Sequence, residues 1–188
     1  MPGSGVNINV LPKVSLHDHL DGGLRPATII ELAEAIGLDL PATTEPDLAD
    51  WFVGQATSGS LEDYLKTFDV TVAVMQTHDA LVRVAREFVE DLALDGVIYA
   101  EVRWAPEQHT EAGLSLDQAV DAVQEGIEAG IDRVAQAGIS IKVGQLITAM
   151  CGTVTSAWSA STSPAPKRVF PLASTGWPST TWPSTSSR

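Results

Sequence analysis

The sequence predicts a parallel α/β array, and three observations carry that prediction. Short apolar strands alternate with helices of 3.6-residue periodicity. Most of the helices are opened by a capping residue or a proline and closed by a glycine or a turn. The histidines that stand closest together, His17 and His19, follow an apolar strand and precede Asp21-Gly22-Gly23, where α/β arrays place their sites.

The elements are expected in this order. Asn7 to Leu16 reads as a strand, apolar at alternate positions and interrupted by Pro12. Pro26 opens a helix with Ile29, Ile30, Leu32, Ala33 and Ile36 on one face, and Gly37 suits its end. A polar stretch runs from about Asp39 to Asp47. Ser60 caps a helix over Leu61–Met75, and Thr77 caps the next, His78–Leu94. Asp95-Gly96 is a turn, and Val97–Arg103 a second strand. Ser115 caps a helix reaching about Ala137, Gly138 ends it, and Ile139–Ile147 is a third strand.

Composition divides the chain. All 24 acidic residues lie between Asp18 and Asp132, against eleven basic ones in the whole chain. Residues 1–150 read as one organised unit. Residues 151–188 hold no acidic residue, are rich in Ser, Thr and Pro, and show no periodicity. A formal charge of −13 argues against nucleic acid or an anionic membrane as partner, because both need a basic footprint. No run of about 18 apolar residues predicts a membrane span. No secretory signal is legible, so a cytoplasmic location is expected. The single cysteine, Cys151, excludes an internal disulfide and any multi-cysteine metal site.

The chemistry concentrates in Ser15-Leu16-His17-Asp18-His19-Leu20-Asp21-Gly22-Gly23. Side chains at i and i+2 of a strand point the same way. His17 and His19 can therefore offer two imidazoles to one divalent metal while Asp18 points elsewhere. Asp21 can face the same space. A surface pair or a satisfied core pair is the competing reading. Glu101 and Arg103 share parity on the second strand, which suits a structural ion pair. Leu61, Tyr64, Leu65 and Phe68 form an apolar stripe that is either core or a cover over a ligand. His78, in a helix's first turn, and His109, in a loop, are not expected to be catalytic.

Together these segments resemble the N-terminal part of the adenosine deaminase family. The resemblance covers about residues 11–150 and rests on Leu11–Gly22, Pro26–Ile29, Leu61–Phe68 and Gly96–Pro106. It implies the opening of a (β/α)₈ metal-dependent hydrolase barrel, incomplete here because the whole fold takes roughly 250 residues. It implies Zn²⁺ held by His17 and His19, and a purine nucleoside against His19 and Asp21, with Asp21 at the ribose end. Tyr64, Leu65 and Phe68 would cover it. The implied reaction converts adenosine or deoxyadenosine to the inosine form plus ammonia. The family's remaining ligands and its proton-shuttling glutamate are not identifiable, so no catalytic residue is assigned and the chain as written is expected to be inactive. A dead metal- or nucleoside-binding fragment, or a deaminase of another adenine derivative, is the alternative. Residues 159–171 read SASTSPAPKRVFP. The same DNA read one base earlier can encode VGFDIAGAEAGFP, which resembles the family's next strand. A frame-shifted, disordered tail is the expectation for 151–188.

Overall fold

A computed structural model describes residues 11–148. Cys151 and the tail lie outside the described residues, as does the first part of the expected opening strand.

Three strands form one parallel sheet in the order β1-β2-β3: β1 Lys13–His19, β2 Val97–Trp104 and β3 Lys142–Ile147. Five helices accompany them: α1 Pro26–Ile36, α2 Glu45–Ala56, α3 Leu61–Val74, α4 His78–Leu94 and α5 Leu116–Gln136. Short 3₁₀ turns follow β1 at Leu20–Gly22 and β2 at Pro106–His109. Among the described residues this is an α/β unit with a partial sheet, consistent with an incomplete barrel.

The local causes are legible. Pro26 sits in the first turn of α1, and Gly37 closes it in the left-handed conformation, φ 69°. Ser60, Thr77 and Ser115 each accept a hydrogen bond from the backbone N–H three residues on. At α5 the Gln118 side chain returns the bond, completing a capping box.

Three expectations need correction. The opening strand runs on to His19 rather than stopping at Leu16, because Asp18 and His19 still pair with β2. The polar stretch from Asp39 gives way at Glu45 to a helix, α2, that was not expected; Thr44 caps it and Pro46 lies in its first turn. The third strand begins at Lys142 rather than Ile139, since Ile139 still closes the end of α5 through its N–H on the Val134 carbonyl.

One face of β2 carries the core. Ala100, Val102 and Trp104 are buried, packed in one cluster with Leu81, Val84, Ala85 and Val89 of α4 and Ala119, Val123 and Ile127 of α5. The helices approach closely because α5 presents Gly126 and Gly130. A Cβ on Gly126 would lie 2.4 Å from the Val82 carbonyl oxygen, and one on Gly130 2.7 Å from Val89 Cβ. On the opposite face Tyr99, Glu101 and Arg103 are half-buried, and Val14, Leu16 and Leu146 are exposed. Behind α4, Arg25 of the β1–α1 connection pairs with Asp91 at 2.6 Å, and Thr28 donates to buried Glu87 at 2.6 Å.

Two glycine substitutions should move stability in opposite directions. Gly126→Ala forces α4 and α5 apart and should cost about 1–3 kcal/mol. Gly54→Ala, on exposed helix with open space around it, should stabilise by up to about 1 kcal/mol. Urea denaturation of the 188-residue chain and both variants checks the pair.

Candidate functional site

The C-terminal end of β1 is irregular, and the irregularity sets the site. Pairing to β2 shifts register between Ser15 and Asp18, and His17 adopts φ 58°. A non-glycine residue there is uncommon and marks a locally re-aimed backbone. Asp18 is turned away and accepts a hydrogen bond from the Ser15 hydroxyl at 2.8 Å. The rings of His17 and His19 come together, centroids 5.5 Å apart and tilted by 42°. Their juxtaposition thus comes from a bulged strand, not from simple i, i+2 parity.

Two imidazoles bound to one zinc through nitrogens about 2 Å from it have ring centres roughly 5 Å apart, so this spacing suits a shared metal. His19 is half-exposed, as an open ligand position requires. The guanidinium of Arg103 lies against both nitrogens of the His17 ring, and a metal on His17 must displace it. Arg103 therefore does not pair with Glu101, as parity suggested. Glu101 instead accepts from the Tyr99 hydroxyl at 3.1 Å, and burial followed by that carboxylate pushes the Tyr99 phenol up.

The two donors fit part of a zinc site. No group of three or more His, Cys, Asp or Glu able to hold a metal occurs among the described residues. The chain's other histidines do not supply a third ligand. His78 lies beside Asp79 and Glu125 on the helical layer. His109 is fully buried, its Nδ1 3.0 Å from the Met75 carbonyl oxygen. It belongs to a 3₁₀ turn rather than an open loop.

Beside the imidazole pair, the turn Leu20–Gly22 places Asp21 at the wall of a cleft. Asp21 and Gly22 line it with Phe52 and Ala56 of α2 and Tyr64, Thr67, Phe68 and Thr71 of α3. Asp21 is 7% exposed, and His19 Nδ1 stands 3.4 Å from its Oδ1. Tyr64 and Phe68 meet edge to face at 5.3 Å. The apolar stripe of α3 is therefore in part a cleft wall. Leu65 is not: it is 52% exposed and outside the lining. Phe52, Thr67 and Thr71 were not singled out from sequence. Phe52 was out of reach because α2 was not expected, although the Thr44-Glu45-Pro46 start could have announced it.

A parallel α/β segment with an imidazole pair and a carboxylate at a strand's C-terminal end defines the class, the opening part of a barrel-type α/β fold. The comparisons narrow it. The adenosine deaminase family model matches residues 12–168, and the chain belongs to that family. Adenosine deaminase 1 of Streptomyces coelicolor is 62% identical over 140 residues, covering 74% of this chain and 35% of that protein. The adenosine deaminase of Mycobacteroides abscessus is 58% identical over 146 residues, covering 77% and 40%. The Arabidopsis N6-mAMP deaminase structure aligns with TM-score 0.56 and 31% identity over 74% of this chain and 41% of its own. A Burkholderia ambifaria amidohydrolase with bound Zn aligns with TM-score 0.61 and 25% identity, covering 74% and 36%. The chain thus spans well under half the length of these curated relatives.

Burial holds His109 below histidine's ordinary 6.5, which carries a pH signature. The unfolded chain takes up a proton near 6.5 that the folded chain refuses, so this contribution is present above 6.5 and is lost as pH falls below it. Stability against urea should therefore drop on acidification from pH 7 to 5.5. In His109→Phe that part of the drop should disappear.

Proposed function

We propose that this chain carries the metal-binding opening and the nucleoside cleft of a zinc-dependent adenosine deaminase. The single observation that carries the reading is the juxtaposition at the end of β1. The His17–His19 pair stands beside a cleft holding Asp21, Tyr64 and Phe68. The identity to adenosine deaminases supports it, and so does a zinc-containing structural neighbour.

His17 and His19, as neutral imidazoles, hold the metal. Zinc, when bound, makes water acidic enough to act as a nucleophile at neutral pH. Asp21 accepts a hydrogen bond from a ribose hydroxyl. Tyr64 and Phe68 cover the nucleoside and exclude water, and Leu65 joins them only if α3 rotates inward over an occupied cleft. The product is inosine or deoxyinosine with ammonia. The partner is a small purine nucleoside in the cytoplasm, in keeping with the acidic charge and with the lack, among the described residues, of a helix able to cross a membrane.

The 188-residue chain by itself is inactive in this reading. A catalytic zinc takes three protein ligands, and the remaining histidines, His78 and His109, are held elsewhere. The carboxylate beside the imidazole pair, Asp21, goes to the ribose in this reading, which leaves proton transfer, worth roughly 10²–10⁴ in rate, without a group among the described residues. The second reading, a nucleotide-directed deaminase, draws on the N6-mAMP deaminase neighbour. Against it, the cleft lining among the described residues contains no Lys or Arg to receive a phosphate.

Three measurements test this reading. Zinc titration against a chelating dye should show binding to the chain, and His17→Ala should remove most of it; full retention by that variant sinks the metal role. Equilibrium titration with adenosine should show a loss of roughly 1–3 kcal/mol in Asp21→Ala, with adenine binding unchanged. Equal losses for both ligands count against the ribose contact. Ammonia release by the chain within a few-fold of the Streptomyces coelicolor relative would overturn its inactivity.

A further inference from the structure

The buried imidazole of His109 has an unexplained polar atom. Its Nδ1 lies 3.0 Å from the Met75 carbonyl oxygen, which can only accept, so Nδ1 carries the hydrogen and Nε2 presents a lone pair. That lone pair is buried and finds no hydrogen-bond partner. The ring is pinned against Trp104, centroids 5.6 Å apart, and is 0% exposed. No ligand in the cleft can reach it.

Asp21 has the matching problem. Its Oδ1 is buried without a hydrogen-bond partner, and the nearby His19 Nδ1 lies at ion-pair distance only. The turns that carry Asp21 and His109 both pack against α3. Asp21 shares the cleft wall with Thr71, while His109 is held by Met75, four residues further on. Burial foremost holds the His109 imidazole down, and the Asp21 carboxylate is among the groups that push it back up, which puts the two within electrostatic reach, yet no hydrogen bond joins them directly. Two buried acceptors need a molecule with two donors between them, and water is the smallest.

We infer that His109 is a positioning residue for Asp21, through an enclosed water that donates one O–H to His109 Nε2 and the other to Asp21 Oδ1. The water ties one carboxylate oxygen inward and leaves Oδ2 to face the cleft. Lysine or arginine could anchor a carboxylate too, but either would compete with a ligand hydroxyl for its charge. A neutral imidazole acting through water orients the carboxylate and leaves its negative charge for the ligand. The inference deepens the proposed nucleoside reading and rests on it for its ligand arm alone. One rival acceptor exists: Glu107 Oε2, two residues before His109, is also buried without a partner.

The first experiment needs no ligand. In the ¹⁵N-histidine-labelled 188-residue chain, long-range ¹H–¹⁵N spectra should show His109 protonated on Nδ1 and bare on Nε2. Cross-relaxation from a long-lived water to the ring hydrogens flanking Nε2 should accompany it. Asp21→Ala should shift the Nε2 resonance and Glu107→Gln should not. An Nε2-protonated ring, absence of that water, or the reverse response to the two substitutions overturns the proposal. The second experiment compares adenosine with free adenine as probes. His109→Phe fills the space without a lone pair and should weaken adenosine about tenfold, the value of roughly one buried hydrogen bond. Adenine affinity should stay within about twofold, and His109→Gln, which keeps an acceptor, should restore adenosine binding. Equal weakening of both ligands would reduce His109 to a packing residue and overturn the proposal. If adenosine does not bind the unsubstituted chain, the nucleoside reading falls, and the spectra still decide the role of His109.

Discussion

The structure hangs on β2. It is the only strand with neighbours on both sides among the described residues, parallel to β1 and to β3. Its inner face of Ala100, Val102 and Trp104 is what α4 and α5 pack against. Parallel pairing aligns the C-terminal ends, so His19 comes opposite Arg103, and the turns after β1 and β2 both pack against α3. The imidazole pair and Asp21 stand where they do because the register with β2 fixes the end of β1.

The close contact of α4 with α5 serves the same end. Glycines at 126 and 130 remove the side chains that would separate the helices. Small residues such as Ala119 and Ala122 continue that surface. The result is a thin, dense layer behind the sheet, with the chemistry on its far side and at its rim. Trp104 links the two: buried in the core, it donates its indole N–H to Gln145 at 3.0 Å and backs His109.

Much of this was legible in sequence because it is local. Helical periodicity with a cap at Ser60, Thr77 or Ser115 placed α3, α4 and α5 within a residue or so of their observed ends. The Asp95-Gly96 turn announced β2. What sequence could not show depends on tertiary contact. The bulge at His17 arises from pairing with β2. Arg103 turns to His17 rather than to Glu101 because that face of the sheet is open to it. Leu65 and Phe68 look alike in the stripe of α3, yet only Phe68 faces the cleft, since Phe52 and Ala56 of α2 close that side. His109 looked like a loop residue because nothing in its neighbours reveals that Met75 and Trp104 enclose it.

The outer strands and the uncovered face have a colloidal consequence. β1 and β3 each present an edge without a strand partner among the described residues, and Val14, Leu16, Leu146 and Ile147 stand exposed beside them. Such edges template pairing with another copy. What opposes this is the acidic excess: copies of a chain with formal charge −13 repel one another before their edges meet. That protection is a long-range field, about 10 Å deep at 0.1 M salt and about 3 Å at 1 M. It fades as pH falls toward the isoelectric point of the sequence, about 4.5. Among the described residues no strand covers these edges, so the barrier between copies is charge repulsion, which salt and acid both lower.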